Sequence, residues 1–85
     1  MSHYAVGLTT EAEDNLADIW LDATDRQSVT EAETAIYRLL SDDPIGNGTP
    51  VAEGLSKITY SPLVAFYSVD QGHGLVEISR FWRPH

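Results

Sequence analysis

One change in the spacing of apolar residues governs what this chain can fold into. From Ala12 to Leu40 they recur at helical intervals of three and four; from Leu55 onward they fall in the short dense runs of strands. Ahead of both, Tyr4, Val6 and Leu8 alternate with other residues, which predicts a strand over residues 3–9. The chain therefore reads β-α-α-β-β-β.

Each helical stretch carries a start signal. Thr10-Glu-Ala-Glu13 has the form of a capping box, with Thr10 as N-cap and Glu13 reaching back. Ala12, Leu16, Ile19, Trp20 and Ala23 then form the apolar stripe of a helix over roughly 10–24, with Trp20 in the core. Asp14, Asp18, Asp22 and Asp25 take the other side. Thr30-Glu-Ala-Glu33 repeats the box, with Ser28 as a competing N-cap. Ala32, Ala35, Ile36, Leu39 and Leu40 make the second stripe, and Asp42-Asp43-Pro44 ends it because the residue before proline avoids helical geometry. A connection this short predicts an antiparallel helix pair.

Residues 43–54 hold Pro44, Pro50, Gly46, Gly48 and Gly54 and show no period, so they read as a loop. A loop this long in a small domain points to function or mobility. Strands follow at Leu55–Tyr60, Pro62–Val69 and Leu75–Trp82. Tyr60-Ser61-Pro62 joins the first two, and the glycine-bearing Asp70–Gly74 makes a hairpin between the last two. Pro62–Val69 is the most apolar run and is placed centrally. The first strand must join the same sheet, since alone it would leave its backbone unpaired. The expected fold is α+β: a single domain over 1–85, with the helix pair packed on one face of a mainly antiparallel four-stranded sheet.

Charge follows the same division. Of the formal −8, residues 1–43 carry ten acids against two arginines, while residues 44–85 carry three acids against three bases. A field of that sign repels phosphate at long range, which weighs against unaided nucleic-acid binding. There are no cysteines, so neither a disulfide nor a thiolate metal site can support so small a core. No run approaches the roughly 18 apolar residues of a membrane span, and Met1-Ser2-His3-Tyr4 lacks the basic and apolar regions of a signal peptide. A cytoplasmic protein is expected, away from membranes.

Familiar catalytic patterns are missing. His3, His73 and His85 are scattered without metal-ligand spacing, and Gly46-Asn-Gly48 is a turn signal rather than a phosphate loop. No metal or cofactor is expected.

The order of elements, with Gly54-Leu55-Ser56-Lys57-Ile58 and Pro62-Leu63-Val64-Ala65-Phe66-Tyr67-Ser68-Val69-Asp70, resembles the RelE/ParE superfamily of small bacterial toxins over about residues 4–83. The resemblance implies the toxin component of a type II toxin–antitoxin pair, with a cognate antitoxin whose flexible arm folds on binding. It implies one of two targets: mRNA on the ribosome, cut as an mRNA interferase, or DNA gyrase. Homo- and hetero-oligomers both remain open.

In the RNA-cutting members, basic groups on a sheet face hold the phosphate while a proton acceptor and donor drive attack by the 2′-hydroxyl. Four positions match. Glu53 resembles the general-base glutamate of YoeB-like toxins, Lys57 a second-strand lysine, Arg83 the arginine near the end of the last strand, and His85 a C-terminal general acid. Three positions depart: Val64 stands where the family carries an arginine on the central strand, Thr59 where it carries another lysine, and the C-terminal tyrosine is missing. These losses favour a gyrase poison or a non-toxic binding module over a complete nuclease; Glu53, Arg83 and His85 favour the nuclease.

Taken without the resemblance, Glu53 is a solvated loop carboxylate and Lys57 keeps an exposed strand soluble. Arg80 and Arg83 lie three apart, so they face opposite ways on a regular strand. Only one reaches a shared site, leaving the other to pair with an acidic helix. Trp82 is either a partner anchor or packed under a helix. The acidic helices call for an antitoxin arm more basic than usual.

Overall fold

Apolar stripes on two helices and alternating apolar residues on the strands close on one another to form a single core. In this computed structural model, which describes residues 3–84, the elements are β1 (Ala5–Leu8), α1 (Thr10–Asp22), α2 (Arg26–Asp42), β2 (Thr49–Ala52), β3 (Leu55–Tyr60), β4 (Leu63–Asp70) and β5 (Leu75–Trp82). Ala12, Val29, Ala32, Ile36 and Leu40 of the helices pack with Ile58, Leu63, Ala65, Tyr67, Val76, Ile78 and Phe81 of the sheet. The sheet residues alternate, so this cluster uses one face only. Lys57, Thr59, Val64, Phe66, Arg80 and Trp82 belong to the opposite face, called here the open face.

The sheet has five strands in the order β1-β5-β4-β3-β2, not the four expected. β1 lies parallel to β5, and β2 through β5 are antiparallel neighbours. The additional strand, Thr49–Ala52, sits inside the stretch expected to be a loop. Its side chains are all exposed, so it has no apolar alternation to betray it. Pro50 is tolerated because β2 is an edge strand. Gly54, at φ 75°, completes the turn into β3.

Both helices start elsewhere than the sequence boxes indicate. Thr9, not Thr10, caps α1: its Oγ1 accepts from the Ala12 N–H at 3.1 Å and donates to the Ser79 carbonyl at 3.3 Å. Asp25 caps α2, accepting from the Ser28 N–H at 3.1 Å and the Ser28 hydroxyl at 2.6 Å, so Ser28 and Thr30 lie inside the helix. These bonds hold the Asp25 carboxyl below the usual carboxylate range. α1 ends at Asp22 rather than near 24, whereas α2 ends at Asp42 as Pro44 dictates.

No base lies in the last turn of α1, and Arg26 supplies the missing cation. Its Nε donates to the Trp20 carbonyl at 3.0 Å and its Nη2 to the Leu21 carbonyl at 3.2 Å. The guanidinium also stacks 4.6 Å from the Trp20 ring centroid. Trp20 is thus a half-exposed cap partner, 41% accessible, and not a core residue. Among the described residues no helix is long and apolar enough to cross a membrane.

Candidate functional site

The open face takes its pattern from strand register. Lys57 of β3 pairs with Phe66 of β4, and Phe66 pairs with Arg80 of β5. Two cations therefore flank one aromatic ring in a row across three strands. Strand spacing sets Lys57 and Arg80 roughly 10 Å apart at the backbone. The next row runs Thr59, Val64, Trp82. Lys57, Thr59, Arg80 and Trp82 are exposed, with Trp82 at 50%. Val64 is only 5% exposed although it lies outside the helix-facing core. Its neighbours on this face are Thr59 and Trp82, so the departure from arginine leaves an apolar patch beside the cationic row.

A bulge fixes which side chains of β5 share this face. The register shifts between Phe66 and Tyr67, and Ser79 is the extra residue. Its hydroxyl donates to the Phe66 carbonyl at 3.3 Å. Ile78 and Phe81, three apart, therefore both enter the core, and Arg80 and Trp82 turn outward. Beyond the bulge the strand is regular, which sends Arg83 to the helix side. There its Nη2 donates to Asp22 Oδ2 of α1 at 3.2 Å.

The three described candidates of the sequence, Glu53, Lys57 and Arg83, are consequently not assembled. Lys57 lies on the open face. Glu53 is exposed at the tip of the β2–β3 turn, beyond Leu55, itself about 7 Å along the strand from Lys57. Arg83 is on the other side, engaged with α1. His85 lies outside the described residues. Arg80 is the arginine that joins Lys57, and the signal that could have found it was the in-out pattern of Val76, Ile78 and Phe81. Glu77 shares the open face nearer the hairpin, where it pairs with Ser68, so this surface is not uniformly basic.

The chemistry available here is recognition. Two separated cations around a ring suit an anionic, planar-faced ligand such as single-stranded nucleic acid, where phosphates meet the cations and a base stacks. Among the described residues no group of histidines and carboxylates is placed to hold a metal ion. His73 and Asp70 face each other at 2.9 Å in the β4–β5 hairpin, and that hydrogen bond holds the Asp70 carboxyl low.

No family profile and no curated protein matches the chain. Solved structures do. A chain of the RelBE2 toxin–antitoxin complex from Mycobacterium tuberculosis superposes with a TM-score of 0.83 at 22% identity, covering 99% of this chain and 94% of that one. A chain of the chromosomal ParDE toxin–antitoxin system from P. aeruginosa gives 0.72 at 16% identity, covering 98% of each. A chain of the archaeal RelE–RelB complex from Pyrococcus horikoshii gives 0.68 at 11%, covering 95% and 94%. The fold is the one these chains share, and the helix pair on a sheet expected from the sequence pattern is the observed arrangement, with one more strand.

Proposed function

We propose that this chain is the toxin component of a type II toxin–antitoxin pair, and that it meets its target through the open face. The fold carries the reading: end-to-end likeness, over 99% of the chain, to a chain from a toxin–antitoxin complex. The Lys57–Phe66–Arg80 row supports the choice of face. On an mRNA target, Lys57 and Arg80 neutralise the phosphate that gains charge during attack. Glu53 takes the proton of the attacking 2′-hydroxyl, and His85 returns one to the departing 5′-oxygen.

One observation favours a second reading. Arg83 is tied to α1 and Glu53 stands at a hairpin tip, so the base and this cation are not gathered in one place. A toxin that only binds, as a gyrase poison does, needs no such gathering. Induction of the protein alone in bacteria tests both. Growth arrest by the parent, lost in Lys57→Ala/Arg80→Ala and in Glu53→Ala/His85→Ala, with transcripts cut during translation, is expected of the nuclease. Arrest retained by Glu53→Ala/His85→Ala, with intact mRNA, selects the binding toxin. A folded parent that arrests nothing overturns the toxin reading.

A further inference from the structure

Between the helices runs an open trough of about 460 Å³. Leu16, Trp20 and Leu21 of α1 line it with Val29 of α2, and Leu21 is 64% exposed. An apolar trough along two helices is the kind of surface an amphipathic helix covers, with side chains at i, i+3, i+4 and i+7.

The rim decides which helix. Glu13 of α1 and Glu33 of α2 line the same trough. Among the described residues neither is in an ion pair with a base. The Tyr37 hydroxyl donates a hydrogen bond to Glu33 at 3.1 Å. Burial first, then the Glu33 charge and lastly Glu13, push that hydroxyl above the ordinary tyrosine range. Both carboxylates therefore act on one spot, and among the described residues no base lines the trough between them. The bases of the two helices are Arg26, which caps α1, and Arg38, which does not line the trough.

We propose that this trough seats a basic amphipathic helix of a partner protein, its apolar stripe on Leu16, Trp20 and Leu21 and its lysines or arginines on Glu13 and Glu33. A second copy of the chain would bring the same −8 charge against the same rim, and an anionic lipid surface would meet like charge. That the partner is the antitoxin arm rests on the toxin reading above; the basic character of the helix rests on the trough.

Three proteins and two labelled peptides test this by fluorescence anisotropy. One designed peptide carries leucine at i, i+3, i+4 and i+7 with lysine on the flanks; its twin carries glutamate instead. The lysine peptide is expected to bind at least about tenfold more tightly than the twin, and less so at high salt. Glu13→Gln/Glu33→Gln should weaken it about tenfold, the effect of two charge pairs. Asp14→Asn/Asp42→Asn, with the same net charge but off the trough, should leave it unchanged. Equal binding of the two peptides, binding of neither, or equal loss in both double variants would overturn the proposal, the last by reducing it to attraction toward net charge. Circular dichroism of each variant confirms folding. The assay contains neither RNA nor ribosome, so a failed growth-arrest experiment does not decide it.

Discussion

The helix layer and the open face of the sheet present opposite surfaces to the solvent. The first is acidic and offers an apolar trough between two carboxylates that have no ion pair among the described residues. The second sets Lys57 and Arg80 around an aromatic ring. Both rest on the same core, so the chain can separate two recognition tasks by the thickness of one sheet. A phosphate-bearing ligand repelled by the helices can be accepted on the sheet, and a cationic helix does the reverse. The difference teaches that net charge alone misjudges a two-sided fold.

If the two surfaces depend on one core, damage to it should remove both together. Ile36 is fully buried where α2 meets the sheet. Ile36→Ala is expected to destabilise by about 2–5 kcal/mol. A chain of this length holds on the order of 4–13 kcal/mol in total, so denaturant unfolding should show a loss of a large share. Survival of either binding activity after global unfolding would show that the surfaces do not share a core.

Tyr67 gives the next largest effect and belongs to the sheet side. It is fully buried, and its hydroxyl donates to the carbonyl of Pro44, tying the α2–β2 connection to β4. Tyr67→Phe leaves that carbonyl without its partner and should cost about 1–3 kcal/mol in thermal or chemical unfolding. A Cβ on Gly48 would collide with the same hydroxyl, so Gly48→Ala should act in the same direction. An unchanged midpoint for Tyr67→Phe would mean that β2 is held by backbone pairing alone.

Caps sharpen the contrast on the helix side. Thr9→Ala removes a cap and a bond to β5, for a loss of about 1 kcal/mol. Thr30→Ala, inside α2, should change stability by no more than about 0.5 kcal/mol. Equal losses would restore the sequence boxes as the true helix starts.

Alkaline titration separates the layers by sign. The raised Tyr37 hydroxyl favours the neutral form in the folded state, so its contribution is complete below the unfolded tyrosine value of about 10 and fades as pH climbs toward the folded one. Tyr37→Phe should therefore flatten the fall in stability above that pH. In Glu33→Gln the phenolate should appear at lower pH, read by its absorbance, because a carboxylate that opposed it is gone. No change in Glu33→Gln would leave burial as the whole cause and weaken the view of the trough as unneutralised.

The order of elements was legible because it depends on periodicity. The last three strands and the end of α2 follow from apolar runs, glycines and Pro44. β2 was not legible: four exposed residues including a proline are held by backbone pairing to β3, which side-chain pattern does not record. Helix starts were misplaced because Thr9 and Thr10 both offer a hydroxyl, and only the chain's path to Ser79 selects the first. For α2, three residues connect the helices, so Asp25 must cap at once. Part of the candidate site was legible residue by residue, in Lys57 and in the opposed directions of Arg80 and Arg83. Which arginine goes where depended on the core positions of Ile78 and Phe81 and the bulge at Ser79, features of the sheet as a whole.

The two arginines of β5 carry the smallest expected effect and the finest test of the comparison. Arg83 joins Asp22 across the edge of the helix layer, in a pair whose acid is 82% exposed. Such a pair contributes less than about 1 kcal/mol and is screened by salt. Arg83→Ala should lower stability slightly in dilute buffer and not measurably at high salt. Arg80 has a cross-strand aromatic neighbour but no ion pair among the described residues, so Arg80→Ala should leave stability within about 0.5 kcal/mol in either buffer. Affinity for a single-stranded RNA probe should respond the other way, falling in Arg80→Ala and holding in Arg83→Ala. If Arg83→Ala instead abolishes RNA binding at unchanged stability, the ion pair to Asp22 opens in solution, and the arginine three residues along crosses to the sheet side to serve the target.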